Sequence, residues 1–148
     1  MTTIYFDSSA LIKLLLEEDG SRLSLELWAA ADAAASSRLA YPEVRAALAA
    51  ARRARRMDAD TYVAAKEEWE RLWSEIRVVE PAPVVLSAAG DLADSQALRG
   101  YDAVHLASAL RLGLADVIMV AWDERLRSAA MCLGLGTAPA RKPGDGER

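Results

Sequence analysis

The chain has 148 residues, of which 53% are hydrophobic and 27% are charged, and its formal net charge is −4. This length and composition predict one globular domain with a sizeable core rather than a disordered chain. The acidic balance argues against broad attraction to nucleic acid, which requires a basic surface. One cysteine and one histidine are too few for a structural zinc site.

Short β-prone runs alternate with longer segments in which apolar residues recur at helical spacing. In chain order, this pattern predicts a strand at 3–6, helices at 8–16 and 21–32, a weak strand at 33–40, a helix from Pro42 to Arg56, a helix capped by Asp58 that ends near Ser74, a strand at 76–80, helices at 84–98 and 102–113, a strand at 116–122 and a helix at 123–134. Such alternation predicts an α/β fold with a central, mostly parallel sheet flanked by helices. We expect one domain over residues 1–138 and a polar, disordered tail over residues 139–148.

The sequence also contains signals of where in the cell the protein is located. The N-terminal residues MTTIYFD contain no basic leader, and no apolar run approaches the roughly 20 residues that span a bilayer. The single cysteine, Cys132, cannot form an internal disulfide and fits a reducing compartment. We therefore expect a soluble, cytoplasmic protein.

Two acids occupy similar positions at opposite ends of the chain. Asp7 follows the first predicted strand, Asp123 follows the last, and each directly precedes a predicted helix. Each could be a helix N-cap, which stabilises by about 1 kcal/mol. Ligands of open parallel sheets bind beyond the carboxyl ends of the strands, however, so the pair could equally belong to a site. The sequence leaves both interpretations open.

Two further acids, Glu43 and Asp102, lie in the first turns of predicted helices, where the helix dipole favours negative charge. Helical spacing from Asp102 leads to His105 and Leu106, which is a largely apolar stripe. An acid on the apolar side of a helix is costly unless a partner neutralises it. From Glu43 the stripe contains only alanines, which we expect to pack closely against a neighbouring helix: Ala46, Ala47, Ala50 and Ala54.

If the four carboxylates converge, they repel one another unless a cation lies between them. A site made only of oxygen ligands favours a hard divalent cation such as Mg²⁺ or Mn²⁺. A cation of this kind can activate a water molecule and stabilise charge on a phosphoryl group.

Four motifs, YFDSSALIKL, RLAYPEVRAAL, LRGYDAVHLASAL and IMVAWDERL, resemble those of PIN-domain ribonucleases of the VapC toxin type in order and separation. Together they cover nearly the whole chain. The resemblance implies a PIN-like three-layer fold and a metal-dependent endoribonuclease that is the toxin of a toxin–antitoxin pair. It further implies RNA as the substrate, a homodimer and an antitoxin that blocks the site.

Residue by residue, the resemblance places the acidic site, both catalytic and metal-binding, on Asp7, Glu43, Asp102 and Asp123. Ser8 or Ser9 would stand beside the first acid, where the family often has a hydroxyl group. Many relatives carry Thr or Ser two positions before the last acid, where this chain has Ala121. The loss of such a supporting group can cost about 10–100-fold in affinity or activity, which leaves the role of Asp123 the least defined.

Other polar and aromatic residues have two interpretations each. His105 could be a general base or a buried residue whose hydrogen bonds are satisfied. Arg99 could contact phosphate or pair with a carboxylate of the site. The basic run Arg52–Arg56 could contact RNA or a partner protein, although Arg52 and Arg56, like Arg45, fall on the helix side opposite Glu43 and favour a solvated face. Trp69 and Trp73 are expected to pack in the core or else to form a partner-facing patch.

Two rival functions remain. One is a catalytically degenerate PIN-fold module that binds RNA or protein, which the missing hydroxyl at Ala121 favours and the complete set of four acids opposes. The other is a phosphoryl-transfer enzyme with Asp7 as nucleophile. Haloacid dehalogenase-like enzymes need a second aspartate two residues later, and this chain has Ser9 there.

Overall fold

The computed structural model describes residues 1–140. In chain order, the elements are β1 (Thr3–Phe6), α1 (Ser8–Ile12), α2 (Ser21–Ala30), β2 (Ala33–Ser37), α3 (Ala40–Arg53), α4 (Ala59–Glu75), β3 (Arg77–Val79), α5 (Pro83–Gln96), α6 (Gly100–Arg111), β4 (Val117–Val120), α7 (Glu124–Cys132) and β5 (Gly136–Ala138). The strands form one sheet in the order β3-β2-β1-β4-β5, and every neighbouring pair is parallel. The predicted α/β class is confirmed.

The central strand β1 separates two hydrophobic clusters because successive side chains of a strand point to opposite faces. Tyr5 lies in one cluster with Leu106 of α6. Phe6 lies in the other with Leu48 of α3 and Trp69 of α4. Helices therefore cover both faces of the sheet, as the three-layer prediction requires.

The order of the strands creates a switch point beside β1. The chain leaves β1 toward β2 and β3 and then returns to place β4 on the other side of β1. The strands β1 and β4 stay joined where they end, because the backbone N–H of Asp7 donates to the carbonyl of Val120 at 3.1 Å. A crevice at the carboxyl ends of two such strands is where open parallel sheets bind ligands.

The sequence missed the short strand β5, which pairs with β4 from Gly136 to Ala138. Its three residues, GTA, carry neither an apolar run nor an alternating pattern, and the strand exists because β4 offers an unpaired edge. The first helix is also shorter than predicted, since α1 ends at Ile12 and the next residues form turns.

The prediction that an alanine stripe of α3 packs against a neighbouring helix is wrong. Ala46, Ala50 and Ala54 are exposed. The buried stripe contains Val44 and Leu48 instead. These larger side chains bury more apolar surface than alanine, and their burial decides how the helix is rotated.

Trp69 is buried and packs against Tyr41 and Trp73, with ring centroids 6.0 Å and 5.4 Å away, which confirms its predicted role in the core. Among the described residues, no helix is both long and apolar enough to cross a membrane. Of the predicted tail at 139–148, residues 141–148 lie outside the part of the chain that the structure describes.

Candidate active site

Asp7 is buried directly after β1, and it caps α1. Its Oδ1 accepts hydrogen bonds from the backbone N–H of Ala10 at 2.9 Å and from the hydroxyl of Ser9 at 2.6 Å. Burial raises the pKa of the Asp7 carboxyl above its ordinary value, and the charge of Asp102 adds to this effect, whereas His105 and the two hydrogen bonds oppose it. The helix-cap interpretation is therefore correct for Asp7, and its Oδ2 remains available for another partner.

The two serines after Asp7 support different acids. The hydroxyl of Ser9 donates to Asp7 and accepts from the backbone N–H of Trp122 at 3.3 Å, which ties the end of β1 to the loop after β4. The hydroxyl of Ser8 donates to Oε1 of Glu43 at 2.7 Å. Each serine thus fixes one acid, and Ser9 also helps to position the loop that leads to Asp123.

Glu43 lies in the first turn of α3 with 26% of its side chain exposed. The same Oε1 that accepts from Ser8 also lies 2.8 Å from Nε2 of His105. Burial alone would raise the pKa of Glu43, but the hydrogen bonds from His105 and Ser8 hold this pKa below its ordinary value. Glu43 is therefore ionised and oriented within the protein.

His105 is buried, and its hydrogen bonds determine which nitrogen carries the proton. The hydroxyl of Tyr5 accepts from the backbone N–H of Ser37 at 3.1 Å and lies 2.7 Å from Nδ1 of His105. Burial raises the pKa of Tyr5, so its hydroxyl stays protonated and can donate to Nδ1. Nε2 must then carry the proton that it donates to Glu43, because two acceptors would repel each other at 2.8 Å. Both ring nitrogens are occupied, as expected of a histidine with satisfied hydrogen bonds.

Asp102 and Asp123 line one cavity of about 580 Å³, together with Arg99, Glu124 and Arg125. Asp123 caps α7, because its Oδ1 accepts from the backbone N–H of Leu126 at 2.9 Å. The guanidinium of Arg99 lies between the two aspartates. Its Nε is 3.0 Å from Oδ2 of Asp102, and its Nη2 is 3.6 Å from Oδ2 of Asp123. Of the two interpretations of Arg99, the structure shows pairing with carboxylates.

The four acids have the donor chemistry that a hard divalent cation needs. Within residues 1–140, Asp7 and Glu43 each use one carboxylate oxygen for hydrogen bonds to the protein and accept none through the other, whereas the second oxygen of Asp123 faces Arg99. A ligand that is anchored by one oxygen and open at the other is suited to metal binding. In that same part of the chain, no three acidic, histidine or cysteine side chains form a group that could hold a metal ion. The structure thus brings the acids to one edge of the sheet without drawing three of them together.

Ala121, where the family resemblance led us to look for a supporting hydroxyl, is fully buried. Ala121 donates its backbone N–H to the carbonyl of Ala138 at 3.1 Å, and its own carbonyl accepts from Arg127 at 3.1 Å. Ser9 and Arg127 therefore fix the loop before Asp123 without a hydroxyl at residue 121. The sequence patterns assigned no role to Tyr5 or Arg127. A tyrosine in a buried strand was a usable signal, because its hydroxyl requires a partner.

The basic run Arg52–Arg56 lies far from the edge of the sheet at which the four acids lie. Arg52–Arg56 follows Glu43 by nine residues or more, about 14 Å along a helix. Arg56 pairs with Glu18 at 3.4 Å, and the side chain of Arg52 donates to the carbonyl of Met57. The run thus makes local contacts on the protein surface and does not enter the cavity.

Residues 4–130 match the family model described as PIN domain. The chain therefore belongs to the PIN-domain family, which confirms the resemblance seen in its motifs. Within that family it is similar to Ribonuclease VapC45 of Mycobacterium tuberculosis, with 50% identity over 141 residues that cover 95% of this chain and 98% of the relative.

Solved structures support the fold. PAE2754 from Pyrobaculum aerophilum superposes with a TM-score of 0.66 at 24% identity and covers 92% of this chain and 83% of its own. A toxin–antitoxin complex from Klebsiella pneumoniae contains a chain with a TM-score of 0.59 at 18% identity, covering 80% of this chain and 84% of its own. Because these sequence identities are low, the two comparisons show only that the architecture is shared.

Proposed function

We propose that this chain is an endoribonuclease, dependent on Mg²⁺ or Mn²⁺, that acts as the toxin of a toxin–antitoxin pair. The observation that carries the proposal is the set of four carboxylates at the β1–β4 edge of a PIN domain, two of them anchored through a single oxygen. The 50% identity to a protein named as a VapC ribonuclease supports the nuclease activity.

Asp7, Glu43, Asp102 and Asp123 are the residues that would hold the cation. The cation would supply an activated water molecule and would neutralise the charge that develops on the phosphate. The protein contributes orientation. Ser9 and the start of α1 fix Asp7, and Ser8 with His105 fixes Glu43. Such fixation matters because a displacement of about 1 Å can cost 10²-fold in rate.

The proposal includes three further elements. RNA is the substrate because the relative is named a ribonuclease. A cognate antitoxin is the protein partner, as in the structural neighbour that is a toxin–antitoxin complex. A homodimer in the cytoplasm completes the proposal and follows from the family resemblance.

The rival hypothesis is a degenerate PIN-fold module that binds RNA or protein without cutting RNA. Two observations favour it. Ala121 lacks the supporting hydroxyl group, and Arg99 occupies the space between two of the acids. Cleavage by the purified protein separates the two hypotheses.

The test uses purified chain, labelled single-stranded RNA and three conditions: EDTA, Mg²⁺ and Mn²⁺. We expect internal cleavage only with metal, and a loss of at least about 100-fold in rate for Asp102→Asn. Asp94→Asn is the matched control, because Asp94 is an exposed aspartate on α5. Cleavage that persists in EDTA, or an Asp102→Asn variant as active as Asp94→Asn, would contradict the proposal. RNA binding without any cleavage would favour the degenerate module.

A further inference from the structure

Arg99 is held by three partners at the mouth of the cavity. It stands at the N-cap position of α6 and contacts Asp102, three residues later, and Asp123, which caps α7. The centre of its guanidinium group also lies 4.8 Å from the ring of Tyr101. One side chain thus joins acids from two helices while 59% of its own surface remains exposed.

The position of Arg99 follows from the charges around it. Asp102 and Asp123 line the same cavity, and two carboxylates that share a site repel each other when no cation separates them. The guanidinium supplies one positive charge and a planar fork of donors that suits carboxylate oxygens. In the protein without metal, Arg99 therefore reduces the repulsion between the acids.

We propose that Arg99 is a built-in counter-cation that competes with the divalent metal for Asp102 and Asp123. This inference rests on the proposed metal-dependent function. Oδ2 of each aspartate faces the guanidinium, and the positive charge of Arg99 repels a second cation. Loading of the site thus requires Arg99 to release at least one aspartate.

Movement of Arg99 is compatible with the packing around it. The side chain is largely exposed, its longer ion pair, with Asp123, joins two exposed groups and is of the weak surface kind, and the ring of Tyr101 that it covers is itself exposed. The guanidinium can turn toward solvent without opening the hydrophobic core. The competition raises the metal concentration that is needed to occupy the site. When no metal is bound, Asp102 and Asp123 stay paired with Arg99.

The competition is measured by titrating Mn²⁺ into metal-free protein without RNA in a calorimeter. The wild type is compared with Arg99→Gln and with Arg111→Gln, the matched control. Arg111 is an exposed arginine in the last turn of the same helix, so its loss changes the net charge equally but away from the site. We expect Arg99→Gln to bind Mn²⁺ about three- to tenfold more tightly than the wild type, and Arg111→Gln to bind about as the wild type does.

A second measurement excludes a merely structural role. In EDTA, Arg99→Gln should melt at a lower temperature than Arg111→Gln, because the repulsion between the two aspartates is no longer compensated. Saturating Mn²⁺ should remove or reverse that difference. An arginine that only stabilised the fold would lower the melting temperature in both conditions and would leave Mn²⁺ affinity unchanged.

The possible outcomes distinguish the inference from the function on which it rests. If the wild type binds Mn²⁺ and Arg99→Gln binds it no more tightly, the competition is refuted while the metal-dependent function stands. If none of the three proteins binds Mn²⁺, both are refuted. Tighter binding by Arg99→Gln alone, with the loss of stability confined to EDTA, supports the inference.

Discussion

Nε2 of His105 donates to Oε1 of Glu43 at 2.8 Å, and this bond connects α6 to α3 across the edge of the sheet. On its other side, Nδ1 of the same ring accepts from Tyr5 of β1. A chain of hydrogen bonds therefore runs from the backbone of Ser37 through Tyr5 and His105 to an acid of the candidate site. Buried chains of this kind stabilise a fold when every member has a partner and weaken it when one is lost.

The substitution Tyr5→Phe tests this chain. It removes the partner of His105 Nδ1 and of the Ser37 N–H, and both groups are buried. We expect the free energy of unfolding to fall by roughly 1–3 kcal/mol in urea titrations. The matched control is Tyr101→Phe at an exposed tyrosine, where the change should be within about 0.5 kcal/mol. Equal effects at the two positions would show that the Tyr5 hydroxyl bond does not stabilise the fold.

Glu43 should make stability depend on pH on the acid side. Its folded-state pKa lies below the ordinary value of 4.5, so its contribution is fully present above 4.5 and is lost as the pH falls through the folded pKa. Glu43→Gln lacks this contribution. The stability difference between wild type and variant should therefore shrink in urea titrations from about pH 6 to about pH 3. A stability difference that stays constant over this pH range would refute the assignment.

Asp7 should make stability depend on pH in the opposite direction to Glu43. Its folded-state pKa lies above the ordinary value of 3.8, chiefly because of burial, so the charged form destabilises the metal-free fold at neutral pH. Asp7→Asn keeps a good N-cap and removes this charge. We expect the metal-free variant to melt at a higher temperature than the wild type near pH 7. The advantage should shrink as the pH falls through the raised folded-state pKa of Asp7 and should vanish below 3.8, where the unfolded chain also holds the proton. A variant that is less stable at neutral pH would contradict this account.

Part of the site was predictable because its signals are local. The places of Asp7 and Asp123 between a strand and a helix can be read from a few residues each, and both prove to cap helices. The contact of Arg99 with Asp123 and the Tyr5–His105 bond join residues that are far apart in the chain, so no local pattern contains them. Sequence patterns and the family resemblance suggested one site shared by four acids, with the role of Asp123 the least defined. The structure gives these acids three environments, with Asp7 buried, Glu43 bonded to histidine, and Asp102 and Asp123 paired to the same arginine.

Gly20 offers a prediction about the loop that carries Asp123. Its φ of +91° lies in the left-handed region, and a Cβ added there would lie 2.6 Å from the ring of Trp122, the residue before Asp123. Gly20→Ala should therefore displace Trp122 and cost roughly 1–3 kcal/mol of stability. Gly90→Ala on α5 is the contrasting control, because a Cβ there meets nothing within 4 Å, and it should stabilise by about 0.5–1 kcal/mol. Urea titrations that find the same sign for both changes would contradict this view of the loop.

The central claim is that the four acids form one divalent-metal site, and the most direct measurement is anomalous diffraction from crystals of the protein grown with Mn²⁺. We predict a peak at the β1–β4 edge, with oxygens of at least three of the four acids, Asp7, Glu43, Asp102 and Asp123, bound to it either directly, at about 2.0–2.6 Å, or through a water molecule. Arg99 should have moved away from at least one aspartate. The absence of a peak at saturating Mn²⁺, with Arg99 still between Asp102 and Asp123, would contradict the account.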